Sequence, residues 1–76
     1  GQQYKYIIIN APKKAVEAIQ EIVPGCKSPT ISQLSDPDWV SIGTVVQEDV
    51  FWETIEKIKS VGGRDVLVLP IEKMIL

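Results

Sequence analysis

Alternating and periodic hydrophobic positions divide the chain into short strands and two helices. The first apolar run, Tyr4 to Ile9, is β-branched and aromatic, which is typical of a strand. Beyond Lys5 both of its faces are apolar, which predicts that both faces are covered. Asn10-Ala11-Pro12 is predicted to open a helix, because Pro12 fits the first helical turn. The apolar stripe of that helix is Ala15, Val16, Ile19, Ile22 and Val23, and Pro24-Gly25 ends it.

The pattern then changes to a hairpin. Thr30 to Leu34 and Trp39 to Val46 are predicted as the second and third strands. Asp36-Pro37-Asp38 lies between them and has the composition of a tight turn. The short link therefore predicts antiparallel pairing of these two strands.

A second helix and a last strand complete the pattern. Glu48-Asp49 places acid where a helix begins, and Gly62-Gly63 ends that helix in the left-handed conformation that glycine permits. Val66 to Leu69 is predicted as the fourth strand, with Pro70 ending its pairing. The tail from Ile71 to Leu76 is too apolar to be expected in water.

The order βαββαβ predicts a ferredoxin-like fold. This is an α+β two-layer sandwich in which two helices cover one face of a four-stranded antiparallel sheet. Right-handed crossovers place the first and third strands in the centre. Because one sheet face stays bare and two strands are apolar on both faces, we expect that face or a strand edge to pack against another copy.

Composition adds that the domain needs support. A chain of 76 residues forms one domain, spanning 1–76, with a thin core. Its one cysteine allows no internal disulfide, so we expect stability to come from partner subunits or a longer parent protein. The only methionine is Met74, so no initiator methionine is present, which predicts a domain cut from a longer polypeptide.

Charge and hydropathy argue against two classes of partner. The net charge is −2 and the basic residues are scattered, whereas nucleic-acid binding needs clustered lysine and arginine. No apolar run approaches the roughly 20 residues that span a bilayer. One cysteine and no signal-peptide pattern predict a cytoplasmic protein.

The sequence predicts no catalytic residue and no metal site. It has no histidine, so the commonest general base and metal ligand is missing. Cys26 has no histidine to activate it and no CxxC partner, and its residue type is typical of a small buried hydrophobe. Structural interpretations are also preferred for the remaining polar and aromatic candidates, namely Asp36, Asp38, Gly62-Gly63-Arg64, Trp39 and Trp52.

Ser28-Pro29-Thr30 leaves two interpretations open. It is either a turn that leads into a strand or part of a ligand site shared with Asn10 at the end of the first strand. Serine and threonine hydroxyls can donate to a carboxylate, and the Asn10 carbonyl can accept from an ammonium. Those are the two polar groups of a free amino acid.

Four segments in register resemble a known family. They are Asn10-Ala11-Pro12, the seven residues 24–30 (PGCKSPT), residues 36–40 (DPDWV) and residues 67–75 (LVLPIEKMI). Together they resemble the C-terminal regulatory domain of long-form ATP phosphoribosyltransferase, the first enzyme of histidine biosynthesis. The resemblance covers essentially all 76 residues.

The resemblance implies a function and a site. It implies that catalytic domains join ATP to phosphoribosyl pyrophosphate with magnesium, that no cofactor binds in this domain, and that L-histidine binds here for feedback inhibition. It also implies self-association of the parent enzyme as dimers and hexamers. The implied histidine site comprises Asn10, Ser28 and Thr30 at the polar ends, Cys26 and Val45 at the ring, and the Asp65 region closing it. Cys26 and Asp65 depart from the bulkier apolar residue and the smaller residue expected there.

Two other functions compete with this one. A free-standing binding module of the nitrogen-regulatory or amino-acid-sensing type would keep the ligand site without a catalytic partner. An acylphosphatase-type enzyme needs an arginine in the first loop, whereas the only arginine is Arg64, near the last strand. RNA recognition is disfavoured because the third strand lacks an exposed aromatic pair.

Overall fold

The computed structural model describes residues 3–23 and 28–75, which form an α+β sandwich of two layers. Its strands are β1 (Tyr4–Pro12), β2 (Thr30–Gln33), β3 (Trp39–Gln47) and β4 (Arg64–Pro70). Its helices are α1 (Val16–Ile22) and α2 (Phe51–Ser60), each preceded by a 3₁₀ turn, at Lys13–Ala15 and Glu48–Val50.

The sheet has the predicted topology. Its strand order is β2-β3-β1-β4 and every pairing is antiparallel. The first and third strands are therefore central, and β2 and β3 form the predicted hairpin. The βαββαβ order and the central positions confirm the ferredoxin-like prediction.

One face of the sheet carries the core. Ile7, Ile9 and Ile42 are fully buried there against Ile19 of α1 and Ile58 of α2. Alternation along each strand sends the intervening residues to the opposite face, which neither helix covers. The helix layer therefore leaves one whole sheet face available for contacts.

The predicted start of the first helix is wrong. Asn10-Ala11-Pro12 belongs to β1, which stays paired with β3 as far as Pro12 opposite Trp39. Pro12 has extended backbone angles (φ −61°, ψ 144°), and the Lys13 N–H donates to the carbonyl of Asp38 at 2.9 Å. Because the long partner strand offers hydrogen bonds and burial to Ala11, sheet pairing overrides the local helix signal, and α1 begins only at Val16.

The fourth strand is longer than predicted and contains a bulge. Gly62 ends the preceding helix at φ 111°, as predicted, and β4 then begins at Arg64. Pairing with β1 shifts between Ile8 and Asn10, and Asp65 lies at that shift with φ 51°. A side chain in this left-handed conformation is uncommon outside glycine, so the bulge carries local backbone strain.

The tail lies partly in water. Ile75 is 94% exposed, so the expectation that the tail would be removed from water is wrong for this residue. Trp52 on α2 is 76% exposed, so it contributes little to the core of this chain.

Candidate functional site

The uncovered sheet face, called here the open face, combines polar and apolar side chains. The strand registers place matching residues of neighbouring strands in rows across this face. From one end to the other the rows are Leu69–Tyr6–Val45, Leu67–Ile8–Gly43–Thr30, and Arg64–Asn10–Ser41–Ser32. The face is apolar towards β4, where Leu67 is 60% exposed, and polar towards β2.

The polar end of the open face is a continuous strip. Asn10, Ser41 and Ser32 follow one another across β1, β3 and β2, and Thr30 lies one row away. These side chains offer hydroxyl donors and an amide with both donor and acceptor groups. The strip can therefore bind a ligand that carries both a carboxylate and an ammonium.

Three of the six predicted site residues lie on this face. Asn10, Thr30 and Val45 share it, as their registers show. Ser28 is exposed and lies two residues before Thr30, just outside β2. Cys26 lies outside the described residues, so its predicted place against a ligand ring stays a prediction.

Strand spacing sets the reach that a ligand would need. Asn10 and Thr30 are two strands and one row apart, which is about 12 Å between Cα atoms for ordinary sheet dimensions. Asp65 lies on β4, at the opposite edge of the sheet from Thr30, about 14 Å away by the same spacing. Of the predicted site residues that lie on strands, Asp65 is therefore the farthest from Thr30.

The open face also holds residues that sequence reasoning missed. A Cβ atom added at Gly43 would overlap the hydroxyl oxygen of Tyr6 and lie 3.0 Å from its Cζ. The Tyr6 ring therefore lies over Gly43, and its hydroxyl reaches the row that contains Thr30. Ser32, Ser41 and Tyr6 were missed because a sequence without strand registers cannot show which residues of different strands share a row.

Three clefts in the described part of the chain lie elsewhere. The first, about 440 Å³, lies between Gln3–Lys5 and the tail, and the second, about 390 Å³, lies between α2 and β4. The third, about 480 Å³, is lined by Pro12, Lys13, Lys14, Asp38 and Trp39. None of these three clefts is lined by Asn10, Ser28, Thr30, Val45 or Asp65.

Charged groups near the site have partners of their own. The guanidinium of Arg64 stacks over the ring of Trp39, with Cζ 5.8 Å from the ring centroid. Lys5 pairs with Glu48 at 3.8 Å, on the helix side of the sheet.

Over residues 3–23 and 28–75 no group of three or more acidic, cysteine or histidine side chains could hold a metal ion. The helices described are all too short or too polar to cross a bilayer.

Topology and composition place this protein in the class of ferredoxin-like α+β domains. The chain belongs to the family described as "HisG, C-terminal domain", whose model matches residues 1–73. Among curated proteins it is 53% identical over 72 residues to an ATP phosphoribosyltransferase of Parabacteroides distasonis, covering 95% of this chain. It is 51% identical over 76 residues to that of Bacteroides thetaiotaomicron, and 42% identical over 75 residues to that of Cytophaga hutchinsonii, covering 100% and 99% of this chain.

The matched region is a minor part of each relative. This chain covers 25% of the length of the Parabacteroides protein, 27% of the Bacteroides protein and 26% of the Cytophaga protein. It therefore spans about a quarter of the curated relatives that it matches. Together with the family description, this coverage identifies the region as the C-terminal domain of such proteins.

Proposed function

We propose that this chain is the regulatory domain of an ATP phosphoribosyltransferase and binds L-histidine on its open face. The observation that carries the proposal is the family membership over residues 1–73, joined to the polar strip that contains Asn10 and Thr30. In the parent transferase, the preceding domains would join ATP to phosphoribosyl pyrophosphate with magnesium. This domain would supply feedback inhibition of that first step of histidine biosynthesis, in the cytoplasm.

The chemistry of the strip fits a free amino acid. The Thr30 hydroxyl, with Ser28 beside it, would donate to the carboxylate, and the Asn10 carbonyl would accept from the ammonium. Val45 supplies apolar surface in the row next to Thr30, where the imidazole ring would lie against it. The side chains of these residues thus match the polar ends and the ring of histidine.

A second copy would complete the site. Asp65 and Thr30 lie at opposite sheet edges, and two copies packed through their open faces or edges would bring Asp65 of one copy close to Thr30 of the other. The exposed Leu67 and Leu69, 60% and 43% exposed, give that packing an apolar surface to bury. Self-association of the parent as dimers and hexamers would then be linked to effector binding.

Linkage gives this arrangement a regulatory effect. An effector shifts an assembly equilibrium only if it binds one assembly better than another. A site shared between copies is complete in only one assembly, and coupling free energies of this kind are typically about 1–3 kcal/mol. An amino acid bound to this domain would thereby change the activity of the catalytic domains.

Calorimetry on the parent transferase tests the proposal. We expect heat with L-histidine and none with L-glutamine or L-leucine, and a loss of that heat in Thr30→Ala and Asn10→Lys. Lys59→Ala, on the exposed side of α2, is the matched control and should bind as the wild type does. Unchanged binding in both open-face variants would refute the placement of the site.

Two simpler observations separate the proposal from a free-standing binding module. A reading frame that continues about 200 residues upstream of Gly1, as the relatives' lengths imply, supports the parent transferase. Native mass spectrometry with and without L-histidine would show whether the effector changes the number of copies in the assembly.

A further inference from the structure

The Tyr6 hydroxyl lies over Gly43, in the row of Thr30 beside the polar strip. The ring crosses from β1 over the backbone of Gly43 on β3, where only a residue without Cβ leaves room for it. Among the described residues, no hydrogen bond holds this hydroxyl, and no buried side-chain oxygen lacks a partner. Within the described residues, a ligand would therefore have no existing hydrogen bond of this hydroxyl to displace.

The strand registers bring this hydroxyl close to Thr30. Thr30 pairs directly with Gly43, and Cβ positions in such a pair lie about 5 Å apart. The Tyr6 oxygen overlaps the position that a Cβ of residue 43 would take, so it lies on the Gly43 side of this pair. One acceptor group placed between them can therefore receive a hydrogen bond from both the phenol and the threonine hydroxyl.

We infer that Tyr6 is a further effector-binding residue, which with Thr30 donates to the carboxylate of the bound amino acid across Gly43. Two neutral donors that converge on one point match a carboxylate, whose two oxygens accept several hydrogen bonds. Gly43 is the positioning residue, because its missing side chain determines where the phenol lies. The inference rests on the proposed histidine site and extends it to β1 and β3.

Calorimetric titration of the parent transferase with L-histidine tests the inference. Tyr6→Phe removes only the hydroxyl and should raise the Kd about tenfold, the effect of one hydrogen bond to a charged group. Tyr4→Phe removes a hydroxyl from the same strand and face, two residues farther from Thr30 along β1, and should change the Kd less than twofold. Equal affinity in wild type and Tyr6→Phe would overturn the inference.

A double-mutant cycle tests whether both hydroxyls bind the same carboxylate. Tyr6→Phe combined with Thr30→Val should weaken binding by clearly less than the product of the single effects. Multiplicative effects would overturn the shared carboxylate. Absence of histidine binding in the wild type would instead contradict the proposed function, so the two failures are distinguishable.

Discussion

Gly43→Ala should destabilise the wild-type domain but stabilise a variant that lacks the Tyr6 ring. In the wild-type background the new methyl would overlap the Tyr6 hydroxyl and lie 3.0 Å from Cζ, so the ring must move. Overpacking of this kind costs about 1–3 kcal/mol, whereas exchanging glycine for alanine within a strand gains about 0.5–1 kcal/mol. The sum is a destabilisation of about 1 kcal/mol.

In a Tyr6→Ala background the steric overlap is absent, and only the gain from exchanging glycine for alanine in a strand remains. Gly43→Ala should then raise the free energy of unfolding by about 0.5–1 kcal/mol, so the coupling between the two positions is about 2 kcal/mol. Urea unfolding followed by circular dichroism measures all four corners of the cycle. Tyr4→Ala is the control background, since Tyr4 pairs with Gln47, and Gly43→Ala should stay destabilising there. Additive effects of Gly43→Ala and Tyr6→Ala would show that the ring does not lie over Gly43.

Three other predictions concern the bulge, the core and the open face. Asp65→Gly should stabilise the domain by up to about 1 kcal/mol in urea unfolding, because the φ of residue 65 is 51° and glycine adopts this angle without strain. Asp65→Val should destabilise the domain, and the opposite order of the two variants would exclude the left-handed bulge. Ile58→Ala should lower the free energy of unfolding by about 2–5 kcal/mol, because Ile58 is fully buried. Lys59→Ala, at the neighbouring exposed position, should change it by less than about 0.5 kcal/mol, and similar values for both variants would place the core elsewhere. Leu67→Lys should abolish self-association in sedimentation measurements, because Leu67 is exposed on the open face. Trp52→Lys, which changes an exposed residue on the helix side, should leave self-association intact. Loss of self-association in Trp52→Lys but not in Leu67→Lys would assign the interface to the helix layer.

The fold was predictable because its signals are local. Apolar residues alternate along Trp39 to Val46, and they recur at helical spacing from Phe51 to Ile58. The structure confirms both elements, as β3 and α2. Right-handed crossovers then left one strand order, which the sheet has. The helix start predicted at Pro12 was wrong because the restricted φ of proline suits an extended strand as well as a helix start. The strand forms here because Pro12 pairs with Trp39, which lies 27 positions away in the sequence.

The candidate site was predictable only in part. Asn10 and Thr30 were proposed from residue chemistry and a family resemblance, and the registers place both on the open face. Tyr6, Ser32 and Ser41 could not be found that way, because their proximity depends on which residues of β1, β2 and β3 share a row. The separation of Asp65 and Thr30 at opposite edges of the sheet also follows from the strand order and not from local residue types.

A crystal structure of the parent transferase with L-histidine would show where the effector binds. We expect histidine on the open face, with its carboxylate within hydrogen-bond distance of the Thr30 and Tyr6 hydroxyls and a neighbouring copy covering it. Histidine bound against the helices or within the catalytic domains, with the open face of this domain empty, would refute the proposed site.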